Sequence, residues 1–448
     1  MRATSSRAML ALTLVAGLYG VSSDIAEARQ GVGTVAAAAG AADPAAAASQ
    51  PVNAVTPAFA APFNAAQDLL KGGNGAAALA KLKELDAVPG RTPYETYLIL
   101  RVRAPAEFSV NDYTTAITDF EALLVDPLLP PTDKVVMLKT LGAILFTAEQ
   151  YPKAAVAIQH YIDAGGNDPK ITELLPQAQY LSKDYAPAAK GFLAEVDAEY
   201  AAGRVPPEKL LRFLVSAYLG MKDDAGYVVG LEHLAVNYPK PDYWRELIGR
   251  AREVDNFSDR LSLDVYRLKV QILGHVDDRE RVNYAAIAAR AGYPGEAKKV
   301  LDEAYANKPF TGLDLSDANK LRPEVNKGAA ADLAQQATAE TAARNAKDGN
   351  ALVSQGLIET LNDNAAKGVQ LIEQGIAKGG LRQPQDAQLH LGYALVRAGR
   401  NADALKTFEA INGPNGLASL AHVWVLYLQS QAAAAAAPAL APASAASR

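Results

Sequence analysis

Five histidines, His160, His233, His275, His390 and His422, are the only imidazoles in 448 residues, and there is no cysteine. Without a thiolate the chain has no disulfide, no thiolate zinc site and no cysteine nucleophile. A histidine metal centre on a helix needs ligands about four residues apart, and these five are scattered with no such partner. They are expected singly, on helix surfaces or in satisfied packing. Neither a Gly-x-Ser-x-Gly elbow, a phosphate loop nor a His-Glu-x-x-His pair occurs. Gly31-Val32-Gly33 opens like a dinucleotide fingerprint, but no strand precedes it. The carboxylate pairs Asp223-Asp224 and Asp277-Asp278 stand at inter-helix turns, where they suit helix N-caps better than acid–base work. No catalytic residue, metal or cofactor is expected.

Across the whole chain 44 Lys and Arg stand against 49 Asp and Glu, a formal charge of −5 that offers nucleic acid no net attraction. Arg2 and Arg7, the apolar run Ala8 to Leu18 and the small-residue site Ala26-Glu27-Ala28 read as a cleavable export signal over residues 1–28. The run is shorter than the roughly 20 residues a bilayer span needs. No later segment is uniformly apolar over such a length, so no integral span is expected after cleavage, and in a bacterium the destination is the periplasm. Residues 29–62, rich in Ala, Gly and Pro, read as a flexible tether, and residues 432–448 as a disordered tail of the same kind.

Between them the pattern is helical and repeated. Leu391-Gly392 is followed by Gly399, Ala404 and Phe408, which lie seven, twelve and sixteen residues beyond Gly392. That spacing matches a tetratricopeptide repeat, a helix–turn–helix of about 34 residues. Gly392 and Ala404 are small where two helices cross, Leu391 and Phe408 fill the space beside the crossing, and Gly399 supplies the turn. Leu141-Gly142 with Tyr151 and Ala154, and Leu214 with Tyr218, Leu231, Leu234 and Pro239, fit the same template. Weaker copies begin near Gly73, Tyr113, Tyr185, Trp244, Gly292 and Gly356. Tyr151, Tyr185 and Tyr218 are read as crossing or turn residues, and Trp424 as part of a capping helix.

The expected fold is therefore all-α: a right-handed α-α solenoid of about eight or nine such hairpins. An N-terminal array covers 63–310, a less regular connector 311–350, and C-terminal repeats with a capping helix 351–431. Within the connector, Asp314 to Leu321 reads as a short helix interrupted by Pro323. Ala329 to Ala346 reads as a helix opening the repeat that ends near Lys378.

The run Tyr238-Pro239-Lys240-Pro241-Asp242-Tyr243-Trp244 resembles the junction found in periplasmic tetratricopeptide-repeat proteins that accompany TonB energy-transducing systems. Leu371-Ile372-Glu373-Gln374-Gly375-Ile376-Ala377-Lys378-Gly379-Gly380-Leu381 and Leu389-His390-Leu391-Gly392 are similar to that group too. The resemblance spans residues 63 to 430. It implies a non-catalytic periplasmic scaffold that binds proteins beside an energy-transducing or envelope transport complex. A scaffold for outer-membrane assembly or polysaccharide export is the alternative. An α/α toroid acting on glycans would need long acid-bearing loops, and most turns here look short.

The repeat register places Lys139, Lys209, Arg212, Asp242, Arg245, Arg252, Tyr393 and Arg397 toward a concave groove. Six of these eight are basic in an acidic chain. Such a groove suits an acidic or extended segment of a protein partner.

Overall fold

A computed structural model describes residues 55–307 and 312–436. The expected export signal and most of the expected tether and tail lie outside the described residues. The described elements are helical, with no strand among them. They divide into two compact units, 1–227 and 228–448.

In the first unit α1 (Pro57–Lys71) pairs with α2 (Gly75–Asp86), α3 (Pro93–Ser109) with α4 (Tyr113–Val125), and α5 (Pro131–Thr147) with α6 (Tyr151–Asp163). The short α7 (Pro169–Thr172) leads to α8 (Leu174–Leu181), which packs on α9 (Tyr185–Ala201), and α10 (Glu208–Met221) follows. Helix α11 (Asp224–Asn237) carries the boundary. The second unit continues with α12 (Pro241–Arg252), α13 (Ser262–Leu273), α14 (Asp278–Arg290), α15 (Pro294–Asn307), α16 (Gly312–Asn345), α17 (Asn350–Leu361), α18 (Ala365–Lys378), α19 (Pro384–Arg397), α20 (Asn401–Glu409) and α21 (Leu417–Ala436).

One turn recurs through both units. Gly73, Asn111, Glu149, Lys183, Lys222, Asn256, Gly292, Asp363 and Gly399 all have positive φ. In all but the Asn256 turn, the next residue's N–H returns to a carbonyl of the preceding helix: Asp112 to Glu107, Gln150 to Leu145 and Arg400 to Leu395, each at 2.9 Å. This six-to-one bond closes a Schellman turn and satisfies carbonyls that the ending helix orphans. Successive left-handed residues lie 34 to 39 apart until 292, after which the next is 363. That last gap is about two periods.

The gap is filled by α16, one continuous helix of 34 residues with Pro323 inside it. The expected break at Pro323 does not occur. Losing one intrahelical N–H is outweighed by strong helix formers on both sides, and Ala318 and Val325 around the proline are buried. The turn that the period would place near Gly328 is straightened, so one helix stands where a hairpin is expected. Its second half does not open the repeat ending at Lys378, because that repeat is the hairpin of α17 and α18 turning at Asp363.

Two boundaries also shift. Helix starts at Pro57 inside the expected tether, where Phe59 is fully buried and Thr56 is fixed by the Glu95 carboxylate, which accepts from its N–H (2.8 Å) and hydroxyl (2.7 Å). At the other end, α21 runs five residues into the expected tail.

Packing at the crossings follows the spacing. A Cβ on Gly392 would lie 2.5 Å from the Phe408 ring, and one on Gly142 2.7 Å from Ile158. Tyr151 and Tyr185 stand edge-on to Phe146 and Tyr180 at the turns. Asp223 caps α11, accepting from the Gly226 N–H at 3.0 Å, whereas Asp277 makes no such bond.

The second unit departs from a linear array, in which each repeat touches only its neighbours. Helix α21 packs on α12 and α13 as well as on α19 and α20. Ser258 N–H donates to Asn415 O at 3.0 Å, and Arg260 binds Asp386 through two hydrogen bonds. Gln271 donates to the Tyr427 hydroxyl at 3.2 Å, and His422 meets Glu232 at 2.9 Å. The start and end of this unit are joined along a seam.

Candidate partner-binding surfaces

The eight groove residues fall three on the first unit and five on the second. On the first, Lys139 of α5 is bound to Asp168 at 2.5 Å. The Lys139 hydrogen bond leads the effects holding the Asp168 carboxyl below its ordinary value. Lys209 is exposed with its ammonium 5.7 Å from the Phe213 ring centre, and the half-buried Arg212 has no ion pair among the described residues. The first unit thus presents two uncommitted cations on one turn of α10.

On the second unit the seam overturns part of the expectation. Tyr393 is buried, its ring 5.9 Å from Trp424, so it is packing and not groove. The physical reason is closure: α21 and α13 occupy the side of α19 that an open array would leave to a partner. Arg397 remains exposed but is bound to Asp363 at 2.8 Å.

Beneath Tyr393 lies an ionic cluster that the sequence reading did not find. Arg267, 3% exposed, donates from Nε and Nη2 to both oxygens of Glu296 (2.9 and 2.8 Å) and from Nη1 to Asp264 (2.9 Å). Tyr284 donates its hydroxyl proton to Glu296 at 2.7 Å, and the Tyr293 ring lies 5.0 Å from the guanidinium. His390 Nε2 is 3.2 Å from Asp264. Burial pushes the Asp264 carboxyl up, but His390 and Arg267 outweigh it and hold the group at about 2. Burial also drives the Tyr284 hydroxyl far above its ordinary value, reinforced by the Glu296 charge. The spacing Asp264–Arg267 was the one local clue; the 29-residue step to Glu296 was not visible.

These carboxylates are poor candidates for acid–base chemistry. A general acid needs a pKa near the working pH, and Asp264 is clamped as an anion while Glu296 is engaged bidentately by Arg267. Among the described residues no group of three or more His, Asp or Glu side chains is placed to hold a metal.

Asp242, Arg245 and Arg252 stay on an accessible face of α12. Arg245 donates to Asp242 at 2.6 Å, and Arg252, exposed, has no ion pair among the described residues. Arg245, Gly249 and Arg252, one helical stripe, form one wall of a cleft of about 210 Å³. The opposite wall is Lys269 and Leu273 of α13, and His275, Val276, Asp277 and Glu280 close its end. Lys269 is bound to Glu280 at 2.5 Å. Of the eight groove residues, Arg245 and Arg252 are thus brought together in a concavity, joined by Lys269 and His275.

No family model matches the chain, and no curated protein does. Among solved structures, the crystal structure of the P58(IPK) TPR domain aligns over 84% of this chain and 99% of that one, at 12% identity and a TM-score of 0.22. An overlay that loose carries no argument. The helical-hairpin fold rests on the recurring turns and the crossings described above. No described helix is long and apolar enough to cross a membrane.

Proposed function

We propose that this chain is a non-catalytic, protein-binding scaffold of the bacterial periplasm that serves a TonB-type energy-transducing or envelope transport complex. The observation that carries the scaffold reading is the run of nine left-handed turn residues, most of them joining paired helices of one design. Stacked hairpins of this kind present extended surface and are used across many proteins to hold partner segments. The two accessible cationic patches, Lys209 with Arg212 and Arg245 with Arg252, supply charge for a protein partner. The export reading rests on residues 1–28, and the TonB setting on the resemblance of the 238–244 and 371–381 runs. A scaffold for outer-membrane assembly or polysaccharide export is the alternative in the same class.

Closure of the second unit is a feature shared with a toroidal glycan-active enzyme. The Arg267-clamped carboxylates and the buried Tyr393 argue against that use of it.

In-cell crosslinking of the tagged chain in envelope fractions, followed by mass spectrometry, tests the assignment. Recovery of TonB-like, ExbB-like or ExbD-like components supports it. Recovery of outer-membrane assembly or export proteins keeps the scaffold and replaces its setting. Intact mass of the exported protein reads the cleavage after Ala28 directly.

A further inference from the structure

Closure of the second unit leaves its recognition surface elsewhere than on the face carrying Tyr393. The cleft between α12, α13 and the start of α14 has features suited to one particular ligand chemistry. Three cations, Arg245, Arg252 and Lys269, line it against two carboxylates, Asp277 and Glu280. Two of those cations are already committed, Arg245 to Asp242 and Lys269 to Glu280, at 2.6 and 2.5 Å. Arg252 has no ion pair among the described residues, and His275 shares the cleft with Nδ1 3.1 Å from the Leu273 carbonyl. Of the two carboxylates, Asp277 has no ion pair among the described residues. Leu273 and Val276 give the cleft apolar lining, and Gly249 leaves its own wall bare, since an added Cβ there would meet nothing within 4 Å. A guanidinium without an ion pair among the described residues, in a cleft with apolar lining, recognises a carboxylate whose neighbouring atoms are hydrocarbon. About 210 Å³ admits one or two side chains and no folded element.

We propose that this cleft docks an acidic segment of a partner protein, with one partner carboxylate on Arg252 and an adjacent aliphatic side chain over Leu273 and Gly249. The proposal rests on the scaffold reading and names the surface and chemistry by which the second unit takes its partner. Arg245 and Lys269 are neutralised by their own carboxylates and leave Arg252 as the cation that meets the partner. The affinity resides in Arg252, and the shape in the missing side chain at 249.

The test uses the full chain and a labelled peptide rich in Glu and Leu, with its Gln-for-Glu counterpart as control, read by fluorescence anisotropy. The acidic peptide is expected to bind and the neutral one to bind at least about tenfold more weakly. Arg252→Glu should weaken the acidic peptide by about tenfold or more, and so should Gly249→Trp, which fills the cleft from an open helix face. Lys209→Glu, on the first unit, should leave it unchanged. Unaltered helicity and melting of the Gly249→Ala variant show that position 249 tolerates a side chain. Equal binding of both peptides, no binding, or full binding by the cleft-filled variant each overturns the proposal. Envelope partners still captured by the Gly249→Trp chain would leave the scaffold standing and remove the cleft from it. A wild-type chain that captures nothing would remove both.

Discussion

Arg260 donates from Nε and Nη2 to the two carboxylate oxygens of Asp386, at 2.9 and 3.0 Å, across 126 residues of chain. With Ser258–Asn415 and Gln271–Tyr427 it forms the seam that joins the two ends of the second unit. Burial nonetheless pushes the Asp386 carboxyl up, against the pull of Arg260. The pair is therefore a joint held under a desolvation cost, and it should be sensitive to mutation. Arg260→Met, which leaves that half-buried carboxylate without its partner, is expected to loosen the seam by roughly 1–3 kcal/mol. Amide exchange should quicken in α21 while α1 to α6 stay as before.

Arg267 is the keystone of the buried cluster. Removing it leaves Asp264 with only His390 and Glu296 with only the Tyr284 hydroxyl, away from water, which costs roughly 3–5 kcal/mol. Arg267→Met should fall in this range in chemical denaturation. Arg267→Lys should recover only part of it, because an ammonium cannot span both oxygens of Glu296 and reach Asp264 as well.

Glu107 in α3 gives the first unit a pH dependence of its own. Burial, with Asp119 nearby, pushes its carboxyl up to about 7 from an ordinary 4.5, against the opposing charge of Arg103 3.7 Å away, and its Oε2 has no hydrogen-bond partner. The folded state therefore keeps a proton that the unfolded chain releases between these two values. Stability falls as pH rises through that window, and the cost is fully present above 7. Glu107→Gln should match the parent in acid and exceed it by roughly 1–2 kcal/mol at pH 8, as read by denaturation at each pH.

His422 acts on the seam side of the second unit. Its hydrogen bond to Glu232 is the leading cause raising its pKa above 6.5, with burial opposing. A raised imidazole value means the stabilisation is complete below 6.5 and is lost as pH rises through the folded value. Amide exchange in α21 should quicken across that range once corrected for intrinsic rate. In His422→Asn the step should vanish.

The crossings were legible because they depend on spacing within one repeat: Gly392 against Phe408 and Gly142 against Ile158 follow from positions sixteen residues apart. The turns were half legible. Gly73, Gly292 and Gly399 announce a left-handed residue, but Asn111, Glu149, Lys183, Lys222, Asn256 and Asp363 take the same conformation with a side chain attached. At all of these but Asn256 the Schellman bonds and the packing of the hairpin offset a cost that composition alone argues against. The fused helix was missed because proline is a local signal, while the Ala-rich flanks of Pro323 act over several turns. The seam was missed for a different reason. Whether Asp264 meets His390 depends on curvature summed over several repeats, and no single repeat encodes it. Tyr393 was accordingly placed on a groove that closure had already filled.

The most direct test of a closed second unit that reads its partner from outside is to lock the seam and ask what the chain still binds. Ser258 and Asn415 share a backbone hydrogen bond of 3.0 Å, which brings their chains within reach of a short bis-maleimide bridging cysteines placed at both, and the chain has no other cysteine to interfere. The Ser258→Cys, Asn415→Cys protein is expected to be bridged within one chain by the bis-maleimide and, once locked, to capture the same envelope partners as the parent. Thiols that stay free, or a locked chain that captures none of them, would contradict the closed unit and its outward recognition.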